Sequence, residues 1–87
     1  MEMNTKKFSI DFSGLIRLYH AQALIHLGVV KNPLTDNFEK NLEQAQLLID
    51  ILLLLEEKTA NNLNREERVM LRESLNRLQT EIKKELN

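Results

Sequence analysis

Cysteine is absent from this 87-residue chain, and so is tryptophan. Without thiols there are no disulfides, thiolate metal sites or cysteine nucleophiles, a composition that suits a reducing cytoplasm. Two glycines and one proline interrupt the backbone, and three phenylalanines and one tyrosine are the whole aromatic content. So little turn and aromatic chemistry argues against a sheet, which needs many turns, and for long helices with short connections. Long hydrophobic runs are missing too. The longest, Leu47 to Leu55, covers nine residues and contains Asp50, against about 20 needed to cross a bilayer. The polar start, Met1 to Lys7, lacks the apolar stretch of a secretory signal, so neither a membrane segment nor a signal is expected.

Charge of one sign is also lacking. Twelve basic residues offset 13 acidic ones for a net charge of -1, so no overall field draws the chain to nucleic acid or to an anionic membrane. No glycine-rich phosphate loop, nucleophile elbow or zinc-ligand spacing appears, and no catalytic residue is assigned. The two histidines lack the Glu-x-x-His pattern that places metals in helical bundles. Arg17 stands three residues before His20 and Ala23 three before His26, and the histidines diverge by about 120° around a helix. No metal or cofactor is expected.

What remains is a chain that is 43% hydrophobic and 29% charged, the composition of a folded domain rather than a disordered one. One helical domain over residues 1–87 is the natural reading, with residues 1–10 as a flexible or extended lead-in. Phe8, Ile10 and Phe12 alternate there with polar residues over too short a span for a strand. A first helix is predicted over about 12–27, starting at Asp11 or Ser13 and ending at Gly28, which takes a left-handed conformation without a Cβ penalty. Asn32-Pro33 and Thr35-Asp36-Asn37 mark the main loop. A second helix over about 42–60 starts after Asn41, with Gln44 placed for a capping box, and stops at Asn61 and Asn62. A third, over about 65–84, starts at the Asn64/Glu67 capping pattern. Fraying is expected at Met1 to Lys7 and at Glu85 to Asn87. The close restart predicts an antiparallel hairpin of the second and third helices, crossed by the first.

The helix faces point to self-association. Leu71, Leu75, Leu78 and Ile82 give the third helix one apolar stripe, which one neighbour satisfies. The second helix carries more, since at about 100° per residue Leu53 and Leu54 fall on the same side as Glu43, Gln46, Asp50 and Glu57. No side is polar around Ile51 to Leu55, and a helix apolar all round needs burial all round. Leu18, Ala21 and Ile25 add a milder surplus on the first helix. These features predict an all-α, three-helix domain completed as a bundle by homo-oligomerisation, a dimer being the default. Its contacts would be Leu18, Ile25, Ile51, Leu53 and Leu54. Asp50, among apolar neighbours, needs a partner. Arg72 or Asn76, on the stripe formed with Arg65, Arg68, Gln79 and Lys83, is the expected one, within the chain or across a dimer. Glu56-Glu57-Lys58-Thr59 reads as a solvated last turn, with Lys58 offsetting the helix dipole.

Several short words occur together in this chain: Ala23-Leu24-Ile25-His26-Leu27-Gly28, Leu48-Ile49-Asp50, Leu55-Glu56-Glu57-Lys58-Thr59 and Asn62-Leu63, followed by Glu66 and Glu67. In order and spacing they resemble a small bacterial family, domain of unknown function 1844, over about Phe8 to Ile82. The chain departs from that pattern at Asn61, where the family tends to have glycine, and at Gln79, where it tends to have arginine. The resemblance implies a compact, helical, cytoplasmic bacterial protein and carries over no activity or site residue. From the residues themselves the expected role is a non-enzymatic homo-oligomeric interaction or assembly module, binding itself, with another protein subunit as a further partner. One alternative is a small-molecule site between subunits around Arg17, Tyr19 and His20. The other is a helix-turn-helix-like regulator, which Glu66, Glu67, Glu73 and Glu81 beside the basic stripe weigh against.

Overall fold

Three helices make up the computed structural model, which describes residues 11–86: α1 (Phe12–His26), α2 (Leu42–Lys58) and α3 (Arg65–Leu86). Each packs against the other two. The lead-in expected over residues 1–10, and Asn87, lie outside the described residues. Among the described residues there is no strand, only an isolated bridge between Asn32 and Asn37, and no helix is long and apolar enough to cross a membrane.

Local chemistry sets the helix ends. Asp11 caps α1, its Oδ1 accepting from the Gly14 N–H at 2.8 Å. Asn41 caps α2 by accepting from the Gln44 N–H at 3.2 Å. At the start of α3 the capping is reciprocal: the Glu67 N–H donates to Asn64 Oδ1 at 2.8 Å and the Asn64 N–H to Glu67 Oε1 at 3.0 Å. Helix α1 ends in a Schellman motif, in which the Gly28 N–H donates to the Ile25 carbonyl and the Val29 N–H to the Leu24 carbonyl, both at 3.0 Å. Gly28 takes φ +78° to make that turn. Thr59 caps the end of α2, its hydroxyl donating to the Leu55 carbonyl at 2.6 Å, and Asn61 takes φ +72°. Helix α3 runs on through Glu85 and Leu86, where fraying was expected, and Glu85 Oε1 holds Lys40 Nζ at 2.6 Å.

The connection from α1 to α2 is braced by Asn32. Its Oδ1 accepts from the Leu34 N–H and its Nδ2 donates to Glu39 Oε1, both at 2.9 Å, while the Thr35 hydroxyl donates to Glu39 Oε2 at 2.7 Å. The bonds from Thr35 and then Asn32 hold the Glu39 carboxyl below its usual range. The Asn41 N–H closes the connection on the His26 carbonyl at 2.7 Å.

Ile16, Ala23 and Leu27, with Ala45, Leu48, Ile49 and Leu52 of α2 and Leu71, Leu75, Leu78 and Ile82 of α3, form the core. Ile51, Leu53 and Leu55 are half-buried against it. The surplus on α2 is therefore narrower than the periodicity suggests. Two helices approaching α2 together cover a wide arc of it, and that arc reaches Leu53 but not Leu54.

Leu75→Ala removes a fully buried side chain and should cost about 2–5 kcal/mol of folding free energy. Gly28→Ala should cost about 1–2 kcal/mol, because the residue sits in the left-handed region and a Cβ there would lie 3.1 Å from Lys40 Cε. Urea unfolding followed by circular dichroism measures both, and an unchanged midpoint in either variant would contradict the packing described.

Candidate functional site

Two places on this fold carry features that the core does not need. The first is the outer side of α2. Counting at about 100° per residue, Glu43, Leu47, Asp50 and Leu54 lie opposite the buried Ala45, Leu48, Ile49 and Leu52, with Ile51 and Lys58 on one shoulder. Leu47 and Leu54 are 51% and 52% exposed, large fractions for leucines on a helix whose other side is the centre of the core. Leu18, on α1, is 46% exposed, and Ile25 is half-buried. Of the contacts predicted from sequence, Leu18 and Leu54 are thus open, while Ile25, Ile51 and Leu53 are partly covered within the chain. Leu47 was missed by sequence reasoning. Its signal was the four-then-three spacing Leu47, Ile51, Leu54, hidden inside a run in which every neighbour is also apolar.

Asp50 does not pair with Arg72 or Asn76 within the chain, contrary to the sequence expectation. It is exposed and its Oδ1 accepts from Gln46 Nε2 at 2.9 Å, one turn earlier. Solvent and Gln46 supply what a buried partner was invoked to provide. Arg72 instead pairs with Glu56, one to two turns further along α2, so the last turn of α2 is not purely solvated: Glu56 is half-buried and tied to α3. The backbone carbonyl of Asn76 accepts from the Thr80 hydroxyl at 2.8 Å.

The second place is a shallow cleft of about 240 Å³ between α1 and α3, lined by Ile16, Arg17, His20, Met70, Glu73, Ser74 and Arg77. Within it His20 Nδ1 and Ser74 Oγ share a hydrogen bond of 2.6 Å. Ser74 is the one buried polar residue among those described, on the same α3 face as Leu71, Leu75 and Leu78. Burial, and then the nearby Arg77 guanidinium, push His20 below its ordinary value, so the imidazole is neutral at pH 7. The cleft places Arg17 and His20 together within one chain, whereas the sequence reading set them with Tyr19 around a site between subunits; Tyr19 packs against the core, and Ser74, Glu73 and Arg77 complete the lining. Ser74 was legible only as a polar residue in a leucine stripe. His26 faces a different environment, with Nδ1 buried and without a hydrogen-bond partner. Among the described residues no three metal-ligating side chains converge.

A family model described as Domain of unknown function (DUF1844) matches residues 9–82. No curated protein and no solved structure matches the chain.

The burial of His20, and then the nearby Arg77 guanidinium, generate a pH dependence whose sign follows from the direction of the shift. In the folded chain His20 titrates below its ordinary value of 6.5, so as the pH falls the unfolded chain takes up this proton first. Folding stability should then decline as the pH drops below about 6.5 and level off beneath the folded value. Urea titrations across about pH 5 to 8 should show this slope in the parent and a flatter one in His20→Gln; an equal slope in both would assign it to another group.

Proposed function

We propose that this chain, which belongs to the DUF1844 family, is a non-enzymatic assembly module that associates with itself and presents its remaining apolar face to another protein subunit. The observation that supports this reading is the pair of half-exposed leucines, Leu47 and Leu54, on the helix that otherwise forms the centre of the core. Full burial of a leucine is worth roughly 1.5 to 3 kcal/mol relative to exposure. Covering both in each of two protomers recovers a sizeable part of that for four side chains. Ile51 and Leu53 would extend the contact at its edges, and Leu18 with Ile25 on α1 would serve a second subunit. In the assembly, α2 and α3 act as an antiparallel hairpin completed into a larger bundle. A bacterial cytoplasmic setting agrees with the lack of cysteine.

A second reading takes the cleft as a small-molecule site. Arg17 and Arg77 along its walls outnumber Glu73, and with the neutral His20 and apolar Ile16 and Met70 they suit a small carboxylate with an apolar body. It places the site within one subunit rather than between two.

Light scattering at micromolar concentration should give a multiple of the 10.2 kDa chain mass. Leu54→Glu should bring the particle to monomer mass with helix content intact. A parent protein at monomer mass would overturn the assembly reading. If small carboxylates raise the melting temperature, and Arg17→Ala abolishes the rise, the ligand reading takes its place.

A further inference from the structure

The outer face of α2 has an internal symmetry that selects its occupant. We infer that it docks on the same face of a second copy, the two α2 helices antiparallel about a two-fold axis passing between Asp50 and Ile51. This rests on the self-association proposed above and adds its geometry. Glu43 lies in the first turn of α2 and Lys58 in the last, and they are equally far from that midpoint; so are Leu47 and Leu54. A two-fold contact must be self-complementary. Antiparallel pairing about this axis meets that condition, setting Leu47 opposite the partner's Leu54 and Glu43 opposite the partner's Lys58 at each end. Among the described residues neither Glu43 nor Lys58 has a salt-bridge partner within its own chain.

Charge excludes the alternatives. Parallel pairing would set Glu43 on the partner's Glu43 and Lys58 on the partner's Lys58, two layers of like charge, and would align the two helix dipoles. Sliding the antiparallel pair by one turn sets Leu47 opposite the partner's Lys58, or Leu54 opposite the partner's Glu43. Only the central register places Glu43 on the partner's Lys58 and both Leu47 and Leu54 on leucine together; a slide of two turns keeps Leu54 on the partner's Leu54 but sets Leu47 opposite the partner's Asn61, beyond the end of α2. Asp50 then has a place in the design. It lies on the outer arc, exposed and held by Gln46 at 2.9 Å, and next to the axis it meets the partner's Asp50. That repulsion keeps the contact weaker than its leucines alone would make it.

The absence of cysteine makes the register directly readable. Leu47→Cys and Leu54→Cys chains, mixed under mild oxidation, should give a disulfide-linked heterodimer, while either variant alone stays uncrosslinked. Self-crosslinking of Leu47→Cys would overturn the proposal, showing parallel helices if Leu54→Cys also self-crosslinks and another antiparallel register if it does not. Failure of the mixed pair to crosslink while scattering still reports a dimer would overturn the register and leave self-association standing; monomer mass would overturn both. Asp50→Asn keeps an acceptor for Gln46 and removes the repulsion, so the dimer dissociation constant should fall several-fold. A constant unchanged or raised would place the axis elsewhere.

Discussion

Everything in this fold is arranged around one seam, the burial of Leu48, Ile49 and Leu52 of α2 between α1 and α3. Leu52 and Ile49 are sealed from solvent, and so are the side chains they join in the core, Ile16 and Leu27 on one side and Leu71, Leu75 and Leu78 on the other. A chain this short buries a smaller share of its surface than a large domain does, and among the described residues the buried side chains form this one core. The helix at its centre must therefore choose which arc to cover, and the arc left over is the outer face bearing Leu47 and Leu54.

Polar contacts flank the seam rather than fill it. The Schellman turn at Gly28, the Asn32–Glu39 brace and the hydrogen bond from Asn41 to the His26 carbonyl bring the chain out of α1 and into α2 at one angle. Lys40 reaches over Gly28 to Glu85 and ties this connection to the far end of α3. Glu56 and Arg72 tie the other end of α2 to α3. These ion pairs are half-exposed, so each contributes little free energy; the angle at which the leucine stripes meet is set by the packed core.

The His20–Ser74 bond is of a different kind. It joins α1 to α3 at a point where a serine replaces an apolar side chain in the α3 stripe, and a buried hydroxyl without a partner would be costly. His20 meets that need with the 2.6 Å bond between its Nδ1 and Ser74 Oγ. The small cleft lies beside it, with Arg17 and Arg77 at its walls. A structural tie and a polar recess thus share the same two residues, while the apolar outer side of α2 stays separate.

Several features were already decided by the sequence alone: the existence of three helices, the left-handed glycine after the first, and the capping residues Asn41, Asn64 and Glu67. Each depends on residues within a few positions of one another, so composition and spacing contain the whole interaction. The tertiary structure decided the rest. Leu53 is half-buried while Leu47 and Leu54 are open, Arg72 pairs with Glu56 and leaves Asp50 to Gln46, and His20 meets Ser74 across 54 residues of chain. Periodicity marks α2 as apolar on several sides, but the angles at which α1 and α3 approach determine which side is covered. Those angles are set jointly by contacts far apart in sequence, and no local pattern contains them.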